Sequence, residues 1–187
     1  KGEPEVTDII PYDSIDGEEL LRISAVVEKT SEHPLGQAIV KKAQSDNLNL
    51  TQPEAFEAIA GKGIKATFEG KTVRVGNRRL MEEAGIDIQR AEEDLTRLEE
   101  EGKTAMLVAI DDKIAGIIAV ADSIKESSKR AIENLINMGL EVYMITGDNK
   151  RTANAIGKQV GIENVLAEVL PENKAEVVES IKARGIK

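Results

Sequence analysis

The sequence predicts a mixed α/β and α+β chain, in which an antiparallel-sheet unit with flanking helices is inserted into an incomplete parallel-sheet domain. Three observations lead there. Short strand-like runs between Ala55 and Val120 are joined by tight turns, as antiparallel pairs require. After residue 120 the pattern becomes strand, helix, strand, helix, the signature of βαβ units. The opening run Lys1 to Ile10 precedes the first helix, as if a strand were entered in mid-domain.

The elements follow in order. Gly17 to Thr30 is amphipathic, with Leu20, Ile23 and Val27 on one side, and Pro34 opens a second helix that aligns Leu35, Ile39 and Ala43. Strands are expected at Ala55 to Ala60, Ile64 to Glu69 and Thr72 to Val75, the last two joined at Gly70-Lys71. Helices at Arg78 to Ala84 and Ala91 to Glu101 lead to a hairpin of Ala105 to Ile110 with Ile114 to Val120. Ser123 and Glu126 form a capping box before a helix that turns Ile124, Ala131, Leu135 and Met138 one way, and Gly139 stops it. Leu140 to Ile145 is a strand, apolar but for Glu141; Ala153, Ile156 and Val160 line the next helix, and Val165-Leu166 continues the alternation. Pro171 starts a last helix carrying Val177, Val178 and Ile181. The expected domains are therefore 13–119 for the antiparallel unit, and 1–12 with 120–187 for the parallel one.

Composition removes several function classes. With 187 residues and 41% hydrophobic content the chain can bury real cores, built from aliphatic side chains, since it has two Phe, two Tyr and no Trp. A formal charge of −9 and the scarcity of stacking aromatics oppose a nucleic-acid partner. The absence of Cys removes disulfides, thiolate metal sites and Cys nucleophiles, and no metal-ligand motif is visible. No signal peptide opens the chain. The longest apolar stretch, Ala105 to Ala121, is broken by Asp111-Asp112-Lys113 and reads as a hairpin, not a membrane span.

The strongest local motif is Thr146-Gly147-Asp148-Asn149, between an apolar strand and a helix, where open parallel sheets collect ligands. A Thr hydroxyl and helix N-terminal amides suit phosphate oxygens, Gly147 permits close backbone approach, and Asp148 suits a magnesium ion; the alternative is an ordinary strand-to-helix turn with an Asx cap. Lys174 lies in the first turn of the next helix, facing either the same crevice or solvent. His33, the one histidine, suits an adenine ring and Glu28 its exocyclic amine, although a lone His at a helix junction also serves as a cap. Gly61-Lys62-Gly63 precedes a strand pattern, so a dinucleotide fingerprint is excluded; either a flat ligand meets the glycine backbone or the turn is plain. Two Gly-Lys-Thr triplets lack the earlier Gly of a P-loop. Asn77, after Gly76, is first of all an N-cap, and Asp122 with Lys125 is either a hinge pair or helix-start charge.

In order and spacing, these motifs together resemble the heavy-metal-transporting P-type ATPases along nearly the whole chain. Ser31-Glu32-His33-Pro34-Leu35 resembles that family's Ser-Glu-His-Pro motif, Gly61-Lys62-Gly63 its Gly-x-Gly motif and Gly76-Asn77 its Gly-Asn motif, all in the nucleotide-binding domain. Thr146 to Asn149 and Leu170 to Lys174 resemble two signatures of its phosphorylation domain, a haloacid-dehalogenase-like fold. The resemblance implies that Glu28, His33, Gly61, Gly63 and Asn77 line an adenosine pocket. It implies that Thr146, Gly147, Asp148 and Lys174 surround the γ-phosphate of ATP and its Mg2+ ion, with Asp122 and Lys125 at the hinge.

The family's Asp-Lys-Thr-Gly-Thr motif, with the phosphorylated Asp, and its Gly-Asp-Gly-x-Asn-Asp motif are absent from the sequence. The expectation is thus a soluble, cytosolic fragment of an integral membrane protein, which binds ATP without forming the aspartyl-phosphate. The parent would carry actuator and transmembrane domains and transport copper(I), since Ser-Glu-His-Pro with Gly-Asn is most similar to the copper branch; zinc, cadmium or silver are the alternatives. A phosphatase of the haloacid dehalogenase type would need an Asp-x-Asp nucleophile at the end of a first strand, and no such pair occurs there.

Overall fold

The computed structural model describes residues 3–13, 15–122 and 126–183. Ser123, Ile124 and Lys125, named above for a helix cap and a hinge, lie outside the described residues. Contacts divide the chain into two units, one formed by Glu3–Leu98 with Ala105–Asp122, the other by Glu99–Thr104 with the residues after 122.

The first, here the sheet unit, is a six-stranded sheet. Its strands are β1 (Pro4–Pro11), β2 (Ala55–Ile59), β3 (Gly63–Phe68), β4 (Lys71–Gly76), β5 (Thr104–Ile110) and β6 (Lys113–Asp122), ordered β1-β6-β5-β4-β3-β2. The pairs β1–β6, β2–β3, β3–β4 and β4–β5 are antiparallel. Four helices accompany it: α1 (Gly17–Glu28), α2 (Pro34–Ser45), α3 (Arg78–Glu83) and α4 (Glu92–Glu100). Along β5, Met106 and Val108 join a core with Leu20, Val26 and Ile39 of α1 and α2, while Leu107 and Ala109 join a second core with Leu80, Leu95 and Leu98 of α3 and α4. Successive residues of a strand point to opposite faces. Helices therefore cover both faces, which is why β5 and β6 read as unbroken apolar runs.

Two boundaries differ from the sequence expectation. Residues 1–12 were expected in the parallel domain, yet β1 pairs with β6 from Pro4↔Asp122 to Pro11↔Gly116. Val6 and Ile9 pack on one core and Ile10 on the other, so β1 covers the edge of an apolar strand that would otherwise lie open. The segment Glu99–Thr104, expected in the antiparallel domain, groups with the other unit.

That second, parallel unit contains α5 (Glu126–Asn137), β7 (Tyr143–Ile145), α6 (Lys150–Val160), β8 (Asn164–Leu166) and α7 (Lys174–Ala183), the last preceded by a 3-10 turn at Pro171–Asn173. β7 and β8 pair in parallel with α6 as the crossover, a βαβ unit as expected. The predicted strand at Leu140 is shorter than its apolar run, since Leu140 stays 39% exposed after the Gly139 turn. The α5 face expected to turn inward is also open, with Leu135 40% and Met138 74% exposed.

Candidate functional site

In the sheet unit, the turn between α1 and α2 is held by hydrogen bonds at Lys29, Ser31, His33 and Leu35. Pro34 sets the start of α2, and the Leu35 amide donates to His33 Nδ1 at 3.2 Å, so the imidazole caps the helix. With Nδ1 accepting, the neutral ring carries its proton on Nε2. The His33 amide donates to Ser31 Oγ at 3.1 Å, and the Ser31 amide to the Glu28 carbonyl oxygen at 2.8 Å. Glu28 closes α1 and is only 5% exposed. Burial raises its pKa from the ordinary 4.5 to about 7, partly offset by a hydrogen bond from Ser31. A β-carbon at position 36 would fall 2.2 Å from Glu28 Oε2, so glycine there brings the α2 backbone directly against this carboxyl group.

A second group forms between β3 and β4. Gly63 and Gly76 face each other across the ladder. A β-carbon on Gly63 would meet the Val75 carbonyl oxygen at 2.1 Å, and one on Gly76 would meet that of Lys62 at 2.1 Å. Gly61 and Gly63 also have positive φ, +75° and +145°. Asn77 ties the group together. Its Nδ2 donates to the Gly61 carbonyl oxygen at 2.9 Å, its Oδ1 accepts from the Leu80 amide at 3.0 Å, and its own amide donates to the Lys62 carbonyl oxygen at 2.9 Å.

Gly61, Gly63 and Asn77 are thus one structure, and Glu28 and His33 another, while α1 packs against β3 and β4. Two open hollows of this unit have other linings. One, of about 430 Å³, includes Tyr12, Asp16, Glu19, Phe68, Lys71 and Ile114, and so opens at the Phe68–Lys71 end of the β3–β4 pair, away from Gly63 and Gly76. The other, of about 440 Å³, is lined by Ile9, Gly17, Glu18, Leu21, Asp46 and Leu48.

In the parallel unit, Thr146 to Asn149 lead from β7 into α6. The Thr146 hydroxyl donates to Asp148 Oδ2 at 3.0 Å and accepts from the Asp148 amide at 3.1 Å. Asp148 Oδ1 faces the Thr104 hydroxyl at 3.5 Å. Asn149 caps α6, its Oδ1 accepting from the Thr152 amide at 2.9 Å. Amides of Val169 and Glu168 donate to the Thr146 and Asp148 carbonyl oxygens at 2.9 Å each, which fixes the chain beyond β8 beside the loop. Gly147 has an ordinary φ, and a β-carbon there would lie 3.4 Å from the Val169 carbonyl oxygen. The fold itself therefore places little demand for glycine at this position. Lys174 is the first residue of α7 and is exposed.

Glu99 was not anticipated. It is 2% exposed, accepts from the Asn149 side-chain amide and pairs with Arg151 at 3.4 Å. In Glu99-Glu100-Glu101 it reads as one of three solvated charges. Its place four residues after Leu95 and one after Leu98, on the buried stripe of α4, was the available signal.

The model of the haloacid dehalogenase-like hydrolases matches residues 1–186. A probable copper-exporting P-type ATPase of Archaeoglobus fulgidus is 47% identical over 187 residues, all of this chain and 23% of that protein. The chain thus spans about a quarter of the length of the curated relatives it matches. Among solved structures, a zinc-transporting PIB-type ATPase in its E2.Pi state superposes with a TM-score of 0.68 at 34% identity, covering 97% of this chain and 29% of that one. The catalytic domain of the CPx-ATPase CopB-B has the same fold, with a TM-score of 0.68 at 23% identity, covering 98% of this chain and 64% of that one.

Proposed function

The chain belongs to the haloacid dehalogenase-like hydrolases, and from that premise we propose that it is the ATP-handling segment of a longer heavy-metal-transporting P-type ATPase of the copper-exporting kind. The sheet unit takes the adenosine. Glu28 presents its carboxyl group to the exocyclic amine, His33 its ring to the purine, and Gly61, Gly63 and Asn77 a bare backbone. The parallel unit takes the γ-phosphate, with the Thr146 hydroxyl, the Gly147 backbone and the Lys174 ammonium as donors.

Among the described residues no group of three His, Cys, Asp or Glu side chains is placed to hold a metal ion. Of this donor set, Asp148 is the carboxylate that would hold Mg2+, a hard ion that suits oxygen ligands and is commonly held by one or two carboxylates beside a nucleotide. When bound it would offset charge on the transferring group. The acceptor Asp, the actuator and transmembrane domains and the copper(I) path belong, in this proposal, to sequence beyond these 187 residues. Among the described residues no helix is long and apolar enough to cross a membrane.

The observation that carries the proposal is the Thr146–Asn149 loop. It gathers a hydroxyl, a carboxylate and a helix N-terminus at the end of a parallel strand, without the fold itself requiring Gly147 to lack a side chain. A Mg·ATP titration followed by amide NMR tests it. Shifts are expected at Glu28–Gly36, Gly61–Asn77 and Thr146–Asn149, with affinity about threefold to tenfold weaker in His33→Gln, the loss of about one aromatic contact. A titration that leaves all three segments unmoved, or phosphoenzyme formation by the 187-residue chain alone, would overturn it.

A further inference from the structure

Among the described residues of the parallel unit, two polar side chains are almost wholly buried, Glu99 at 2% and Thr152 at 1% exposure, and both serve one contact. The segment Glu99–Thr104 lies along α6 from its first turn, at Thr152, to its last, at Gln159. The Thr152 hydroxyl donates to the Lys103 carbonyl oxygen at 2.8 Å, and Gln159 Nε2 donates to the Glu101 carbonyl oxygen at 3.2 Å. Gly102 packs against α6, where an added β-carbon would lie 3.6 Å from that of Ala155.

The same segment reaches the loop ahead of α6. Asn149 is held at both ends of its amide, Oδ1 by the Thr152 amide and Nδ2 by Glu99, and the Thr104 hydroxyl faces Asp148 Oδ1. A buried carboxylate beside the first turn of a helix is favoured by the partial positive charge there, and Arg151 balances it. An Asn cap needs only its Oδ1, so the Nδ2 contact adds something beyond capping: it fixes which way the amide plane turns.

We infer that Glu99 is a positioning residue for the Thr146–Asn149 loop, acting through the Asn149 amide, with Thr104 as its companion on Asp148. The inference rests on the proposal that this loop faces phosphate. Its mechanical part is independent of any ligand: Glu99 sets the orientation of Asn149, and Asn149 sets Gly147 and Asp148.

Ligand-free NMR of Glu99→Ala and Glu99→Gln tests that part. In Glu99→Ala, the Asn149 side-chain NH2 signals should move, their hydrogen exchange should quicken about tenfold, and the Gly147 and Asp148 amides should shift, while Ile156–Val160 stay in place. Glu99→Gln, which keeps an acceptor of the same shape, should restore most of the Asn149 signature. Where Glu99→Ala fails to fold, Asn149→Ser, which retains a cap and loses the Nδ2 donor, should shift the Gly147 and Asp148 amides, while Glu99→Gln leaves them near their wild-type positions. Unmoved Asn149, Gly147 and Asp148 signals in a folded variant overturn the inference, as do changes spread evenly along α6. A second arm adds Mg·ATP: Glu99→Ala should weaken the response of Gly147 and Asp148 about tenfold and leave that of Glu28 and His33 intact. Wild-type protein that shows no response at Gly147 and Asp148 refutes the phosphate reading of the loop, whereas the ligand-free spectra alone decide the role of Glu99.

Discussion

The two units bury their strands very differently. In the sheet unit, Leu107, Val108, Ile117 and Ile118 have no exposed surface. In the parallel unit, Tyr143, Met144 and Ile145 are only half-buried, and Leu135, Ile136 and Met138 of the α5 region are 40%, 44% and 74% exposed. Parallel strands normally carry helices on both faces, and a two-stranded sheet buries little on its own. The sheet unit thus closes an apolar core, while the strands and the α5 face of the parallel unit stay half-open. Local opening should start in the latter.

The comparison breaks most directly at matched leucines. Leu107→Ala should cost about 2 to 5 kcal/mol, the usual range for emptying a closed core, whereas Leu135→Ala on half-open α5 should cost less than about 1 kcal/mol. Urea unfolding followed separately by amide signals of each unit gives both values, and equal costs would abolish the distinction.

A pH effect of intermediate size belongs to the sheet unit. The Glu28 pKa rises from 4.5 to about 7, so between these values the folded protein binds the proton that the unfolded chain releases. Stability from this group is therefore complete below about pH 4.5, declines toward pH 7 and is flat above, a loss of about 3 kcal/mol in all. Glu28→Gln should remove that slope and make the sheet unit more stable than wild type at pH 8, as denaturation at pH 5 and pH 8 would reveal. A slope unchanged in the variant would remove Glu28 as its source. Of the two polar substitutions the smaller effect falls on the parallel unit, where Asn149→Ala should lower stability by about 1 kcal/mol through the lost α6 cap, measured by hydrogen exchange within α6.

Much of this architecture was legible where its causes are local. His33-Pro34 marked a helix start because a fixed φ and a side-chain acceptor act within two residues, and Asn77 and Asn149 were recognisable caps for the same reason. Alternating and continuous apolar runs marked the strands of the sheet. What depends on distant partners was not legible. β1 was placed in the wrong sheet because its mate, β6, lies more than a hundred residues away in sequence, as in the Thr7–Ala119 contact. Glu99 hid inside a run of three glutamates, where only its contact with α6 separates a buried carboxylate from two solvated ones. The α5 face looked like core by periodicity alone, and periodicity does not say whether anything lies opposite.

The facing glycines of β3 and β4 bear on how such a chain can vary. Each position has a neighbour's carbonyl oxygen in the space of a first side-chain atom. Neither can be replaced without moving the other's strand, so the pair is closed to stepwise substitution. Variation at this turn must then come from surrounding side chains, around a backbone contour that stays the same.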